Sequence, residues 1–427
     1  MFGKILNTFG AKALSAVINL LIAILLSQYL GPAGKGVQSL IITTITFVLV
    51  FANLVGGATL VYLVPRHAPS LLILPSYLWT LLVSAASYFV LLLFPFVEKP
   101  FILHICILSA LNSFVAINTA ILIGREKIKT ANLINLLQPV ILIISLLIFF
   151  TLKHEPGILD YLDSLYFSFG LTVLISFAYY YQYCGKISIH SLKEYGQIGI
   201  EMVHYGVLNQ VAHITQMLSF RLSYFVLDHY HGAAAVGVYS NGISLAESIW
   251  LIAKSISLVQ YSRIANIDDR IEAAKLTVKL IKFSLTASLI ILIPLMLLPS
   301  SFYVFIFGAG FSGTRMVIWT LAIGVLIYNF SILTGHYFSG TGRYQINALA
   351  STLGLVVSVI LYFSLIPRFS IAGAGWATSL SYLITTLILM TLFNRENKNW
   401  YKDLMPSKGD FRQLKSELAT VLQRKKV

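Results

Sequence analysis

Apolar residues fall along the chain in long runs broken by short polar punctuation, the pattern of helices that cross a lipid bilayer. A membrane helix needs about 20 mostly apolar residues. Twelve stretches qualify: 9–30, 38–63, 74–97, 101–123, 131–152, 162–183, 203–227, 236–259, 276–298, 315–338, 346–366 and 371–392. Gly31-Pro32, Glu98-Lys99-Pro100, Glu155-Pro156-Gly157, Gly308-Ala309-Gly310 and Gly340-Thr341-Gly342 all sit between runs, where helix breakers belong. The narrowest break lies at 366–371, around Pro367 and Arg368. Lys4 and Lys12 precede the apolar stretch Ala16–Leu26 of the first run, no convincing small-x-small cleavage site follows, and the run reads as an uncleaved span. The expected architecture is all-α and membrane-embedded, with six helices in residues 1–183, a linker at 184–202, six more helices in 203–392 and a basic tail at 393–427.

Composition agrees. Of 427 residues 57% are hydrophobic and 11% charged, against roughly 25% charged in soluble domains. Too few charges remain to solvate a soluble surface of this size. Two cysteines, Cys106 and Cys184, cannot build a disulfide framework and are expected to be packing residues.

The net charge of +14 would suggest nucleic acid in a soluble protein, but its distribution excludes that reading. With the N-terminus placed inside, the inner segments hold 23 Lys and Arg and the outer segments 5, the latter being Lys35, Lys99, Lys153, Arg315 and Arg368. Lys and Arg concentrate on the cytoplasmic side of membrane proteins, so both termini are expected there. In the tail, Phe411, Leu414, Leu418, Val421 and Leu422 recur at helical spacing, which suggests a basic amphipathic helix on the inner membrane surface; a solvated tail is the plainer alternative.

Shifted by 201 residues, the chain matches itself. Tyr29, Gly31, Ala33, Gly36, Val37 and Ser39 fall on Tyr230, Gly232, Ala234, Gly237, Val238 and Ser240, six identities in eleven positions. The segments link spans 1 and 2 and spans 7 and 8, running the same way across the membrane. That implies two six-helix halves related by an axis along the membrane normal, an arrangement common in transporters.

The match extends into polarity. Ser39, Thr43, Thr46 and Asn53 share one face of span 2, and their counterparts Ser240, Ser244, Glu247 and Lys254 share one face of span 8. Such stripes are costly against lipid and are expected to face a shared central cavity. Glu247 and Lys254 are nearly eclipsed and about 10 Å apart along the axis. Intramembrane charges are functional candidates, although each can also serve as a structural ion pair. Arg221 sits off the polar face of span 7 and aligns with Asp228, so ion pairing or snorkelling competes with a cavity role. Lys12 either lines the cavity or marks the inner interface. His204 and His213 have no second ligand at metal spacing, and neither a metal nor a cofactor is expected. Gly31-Pro32-Ala33-Gly34-Lys35-Gly36 lacks the spacing and the Ser or Thr of a phosphate loop.

Leu30-Gly31-Pro32-Ala33-Gly34-Lys35-Gly36, then Ala235-Val236-Gly237-Val238-Tyr239-Ser240 with Ser244-Leu245-Ala246-Glu247, and the turn Gly340-Thr341-Gly342-Arg343 resemble motifs of polysaccharide transporters. These belong to the multidrug/oligosaccharidyl-lipid/polysaccharide exporter superfamily. The resemblance covers essentially the whole chain. It implies two six-helix bundles around a central cavity, alternating access, and a bacterial inner-membrane flippase for undecaprenyl-diphosphate-linked oligosaccharide, such as an O-antigen, capsule or exopolysaccharide unit. Membrane lipid, a glycan polymerase and other assembly proteins are the implied partners. On this reading Lys254, Arg221 and Lys12 meet the diphosphate, Ser240, Ser244, Asn53 and Thr46 line the cavity, and Glu247 couples transport to a proton or sodium gradient. Many relatives carry an acidic residue shortly after the span-7 arginine, where this chain has Ser223.

Two alternatives stand beside it. A drug/cation antiporter of the same superfamily typically places a carboxylate in span 1, and spans 1–6 here hold none deep in the membrane. A membrane glycan polymerase or ligase, an enzyme rather than a transporter, fits poorly with short outer loops and the 201-residue repeat.

Overall fold

The computed structural model describes residues 2–153, 156–264, 267, 269–396 and 400. The amphipathic segment expected around Phe411–Leu422 lies outside them. Twelve α-helices occur among the described residues: α1 (Phe2–Ala52), α2 (Gly57–Leu63), α3 (Pro69–Leu93), α4 (Lys99–Gly124), α5 (Ile128–Leu152), α6 (Ile158–Cys184), α7 (Leu192–Ser248), α8 (Trp250–Ile264), α9 (Arg270–Leu297), α10 (Ser300–Phe307), α11 (Thr314–Gly340) and α12 (Tyr344–Glu396). No strand occurs among the described residues.

Helix number and span number coincide only by accident. The helices α1, α7 and α12 run for 51, 57 and 53 residues. As straight rods they would reach roughly 75–85 Å, well over twice the hydrocarbon core. Each is instead broken once, at Gly31, Gly232 and Ser370. Gly31 (φ 64°, ψ −175°) and Gly232 (φ 77°, ψ 171°) occupy a backbone region open essentially to glycine alone. The narrow break near Pro367 is the kink at Ser370. Short α2 and α10 do not span, and α8 continues the second limb of α7, so the count of twelve spans holds. Eight helical stretches among the described residues are long and apolar enough to cross a membrane; two of them, at 10–63 and 344–395, are the folded pairs. The protein is a multi-pass membrane protein.

Two element boundaries differ from the sequence reading. The expected span 2 ends early: α1 stops at Ala52, a turn covers 53–56, and α2 resumes at Gly57. The expected linker at 184–202 is extended only to Ser191. There a capping box starts α7: Glu194 N–H donates to Ser191 Oγ (3.3 Å) and the Ser191 N–H donates to the Glu194 carboxylate (2.8 Å).

Helices α1–α6 pack mainly with one another, as do α7–α12, and α1 joins α7 between the halves. The apolar core shows how they meet. On the side of the Gly31 and Gly232 kinks one cluster runs through both halves, from Leu26, Ile41 and Ile105 to Tyr239, Val317 and Ala374. Toward the termini there are two cores, one around Leu63, Ile121 and Tyr180 that also takes in Ile198 and Met202 of α7, and another around Ile281, Phe338 and Phe393. The halves therefore form a V, sealed at the kink side and parted toward the termini except along the flank where α2 and α3 meet α7.

Candidate functional site: a cationic cavity closed at one end

The seal is built from the repeated motif. Each of the two Gly36-type glycines lies against the other half: a Cβ on Gly36 would fall 1.7 Å from the Ala233 carbonyl oxygen, and one on Gly237 2.0 Å from the Pro32 oxygen. Residues 36 and 237 are repeat partners, as are 32 and 233, so the contact is reciprocal, as at a two-fold axis. On that axis Ser39 donates to its own counterpart, Ser240 Oγ, at 2.9 Å. Beside it Asn241 Nδ2 donates to Ser27 Oγ at 2.7 Å. Ser39 and Ser240 were expected to line an open cavity; both are buried in this seam, because the helices touch closely enough here to exclude water.

Away from the seam the stripes open. Thr46 and Glu247 are half-buried, and Ser244 and Lys254 are exposed. Asn53 is half-buried in the turn just after α1, its N–H still donating to Leu49 O at 2.9 Å. Thr46 turns its hydroxyl back to its own helix, donating to Ile42 O at 2.7 Å.

Two of the candidate charges are in direct contact. Lys254 lies within electrostatic range of Glu247, Arg221 and Lys12. Arg221 and Glu247 pair side by side across α7: Nη2 donates to Oε2 at 2.8 Å and Nη1 to Oε1 at 3.3 Å. Their side chains keep 25% and 12% of their accessible surface, so the pair is only partly buried. Glu247 is therefore not a free carboxylate, and Arg221 pairs with it rather than with Asp228. The reason is the kink at Gly232, which folds the two limbs of α7 so that residues 26 apart in sequence face each other. Tyr382 of α12 completes the group by donating to Glu247 Oε1 at 2.8 Å. Sequence inspection missed Tyr382, whose only signal is a hydroxyl in an apolar span.

Behind the pair, Phe220, Trp250, Tyr328 and Tyr382 pack in mutual contact with ring centroids 4.7–5.7 Å apart. Trp250 Nε1 donates to Val325 O at 2.8 Å. Through the Tyr382 hydroxyl this aromatic cluster contacts Glu247. The Lys254 ammonium lies 5.6 Å from the Trp250 ring centroid and has no carboxylate within ion-pair distance among the described residues. Lys12, near the start of α1, is exposed.

On one flank the halves remain joined toward the termini, where Gln210 Nε2 donates to Val50 O at 2.5 Å. No group of three or more His, Cys, Asp or Glu side chains suited to a metal occurs among the described residues.

The class this architecture defines is that of two-bundle, all-helical membrane proteins. Solved structures share the fold. An inward-facing multidrug-resistance MATE-family transporter of the MOP superfamily superposes with TM-score 0.74 at 14% identity, covering 91% of this chain and 96% of that one. The lipid II flippase MurJ, in an inward closed conformation, gives 0.74 at 17% identity over 97% and 96%. The MATE multidrug transporter DinF-BH gives 0.67 at 15% identity over 93% and 95%. In sequence, the chain is similar to the capsular polysaccharide biosynthesis protein CapF of Staphylococcus aureus, 24% identical over 173 residues. That match covers 40% of this chain and 44% of CapF, so it spans less than half of either protein. No family model matches the chain.

Proposed function

We propose that this protein is a flippase that moves oligosaccharide linked to undecaprenyl diphosphate across the bacterial cytoplasmic membrane by alternating access. The observation that carries this reading is a cluster of charge beyond the sealed seam: the Arg221–Glu247 pair, with the Lys254 cation and, farther off, Lys12 within its electrostatic range. An anionic headgroup leaving water for the bilayer centre costs at least about 2.5–3.5 kcal/mol per charge on insertion scales. A charge-assisted contact offsets about 1.5–3 kcal/mol of it. Two similar proteins support the reading, one a lipid II flippase and the other a capsular polysaccharide biosynthesis protein. The termini side is assigned to the cytoplasm on the 23-to-5 charge split, which makes the V inward-open. Glycan polymerase and other assembly proteins are the proposed partners, and the product is O-antigen, capsule or exopolysaccharide.

Glu247 is the proposed coupling residue. Its carboxylate is held by Arg221 and Tyr382, and a proton or sodium ion that competes with Arg221 would free the guanidinium for substrate. The test is transport of lipid-linked oligosaccharide in proteoliposomes at matched protein. Lys254→Ala should slow it about tenfold or more, the loss of one charge-assisted contact, and Lys254→Arg should retain most of it. Wild-type rates for Lys254→Ala would remove Lys254 from the site. Glu247→Gln that keeps full transport and full gradient dependence would remove the coupling role.

A drug/cation antiporter is the second reading, favoured by MATE neighbours of equal similarity. Against it, the carboxylates of the first half lie near helix ends: Asp160 occupies the first turn of α6, bonded by Lys153. Uptake of a cationic dye driven by an ion gradient, with no movement of lipid-linked sugar, would establish it instead.

A further inference from the structure

The charge pattern along the chain assigns Lys35 to an outer segment. The structure places it inside the second limb of α1, 7% exposed, in the seam that closes the cavity. Its ammonium donates to Gln38 Oε1 at 2.6 Å and to Ser39 Oγ at 3.2 Å, both neutral. No carboxylate lies within ion-pair distance of it among the described residues.

Two features set Lys35 apart from a structural cation. First, the seam does not require a charge at this position. Its repeat partner is Val236, which is fully buried in the equivalent place. Second, the head points the wrong way for an interfacial lysine. Such side chains reach out toward water. Lys35 instead reaches one turn along its helix, to residues 38 and 39, toward the membrane interior. An unpaired cation so placed is costly and marks a functional site by default. Its anchor, the Ser39 hydroxyl, is the same atom that bridges to Ser240 across the seam. Parting the halves here would therefore open water to Lys35 and remove one of the partners that hold Ser39.

The two stripes also set a scale. Lys254 lies 18 residues beyond Val236, the position equivalent to Lys35, or about 27 Å by helical rise. That is close to the roughly 30 Å of a hydrocarbon core. One cation therefore stands at each end of the pathway, contributed by opposite halves.

We infer that Lys35 is the exit-side anion site, which takes up the phosphate groups of the substrate from the inner cations when the seam opens. This rests on the flippase reading above. The arrangement gives the diphosphate a second counter-charge where the first is out of reach.

Right-side-out membrane vesicles holding the full-length protein test it. An impermeant amine-reactive reagent is added outside, and modification of Lys35 is read by peptide mass spectrometry with and without inorganic diphosphate at constant ionic strength. Diphosphate should suppress Lys35 labelling several-fold more than chloride does, and leave Lys99 unchanged. In proteoliposomes Lys35→Gln, which can still bond Gln38 and Ser39, should slow lipid-linked oligosaccharide transport about tenfold, and Lys35→Arg should recover most of the rate. Labelling indifferent to diphosphate, or wild-type transport by Lys35→Gln, overturns the inference. Failure of the wild-type protein to move any lipid-linked sugar would refute the flippase reading alone, since diphosphate protection of Lys35 is measured without transport.

Discussion

Gly36→Ala is expected to force the seam open. The new methyl carbon would lie 1.7 Å from the Ala233 carbonyl oxygen, whereas carbon–oxygen contacts settle at about 3.3–3.6 Å. The obstacle is backbone, which cannot rotate aside as a side chain can. The two halves must separate by well over 1 Å, as a rough difference between those distances. Overpacking of this kind costs about 1–3 kcal/mol, and here the cost falls on the closed conformer alone. The closed-to-open ratio should fall about 5- to 150-fold. The repeat supplies an internal check, because Gly237→Ala meets the Pro32 oxygen at 2.0 Å and should behave alike. Gly170→Ala, with open space around its Cβ, is the neutral control. The readout is labelling of Ser240→Cys by an impermeant maleimide in a background free of Cys106 and Cys184, added from the kink side. Labelling should rise at least about fivefold in both glycine variants and not in the control. Unchanged labelling in correctly folded Gly36→Ala would refute the sealed seam and with it the V-shaped closure.

Removing one member of the Arg221–Glu247 pair should lower stability by about 3 kcal/mol, the low end for a buried pair since this one keeps some water contact. Arg221→Met with Glu247→Leu should recover most of the loss, and strictly additive thermal shifts would show that the two do not interact. A reporter fused after Val427 should be active only in a cytoplasmic form, and periplasmic activity there would overturn the orientation. Cys106 is buried in α4 and Cys184 is partly exposed at the end of α6, so a small hydrophilic thiol reagent should modify Cys184 first; equal rates would contradict the packing of α4.

Membrane class, twelve spans and two halves were all legible in the linear chain, since lipid demands long apolar helices whatever their neighbours. Gly31 and Gly232 were legible too, because their conformational demand is local. Lys254, Glu247, Arg221 and Lys12 stood out as candidates, because charge within a span is costly and therefore conspicuous. Which of them touch was decided by packing. Packing paired Arg221 with Glu247 by folding α7 back on itself and brought Tyr382 to that pair from α12. It ended α1 at Ala52, and it buried Lys35 and the Ser39–Ser240 contact in the seam. The cause is distance along the chain. Helix periodicity fixes which residues share a face, but contacts between residues 26, 135 or 201 positions apart depend on how the limbs pack, and local pattern carries no record of that.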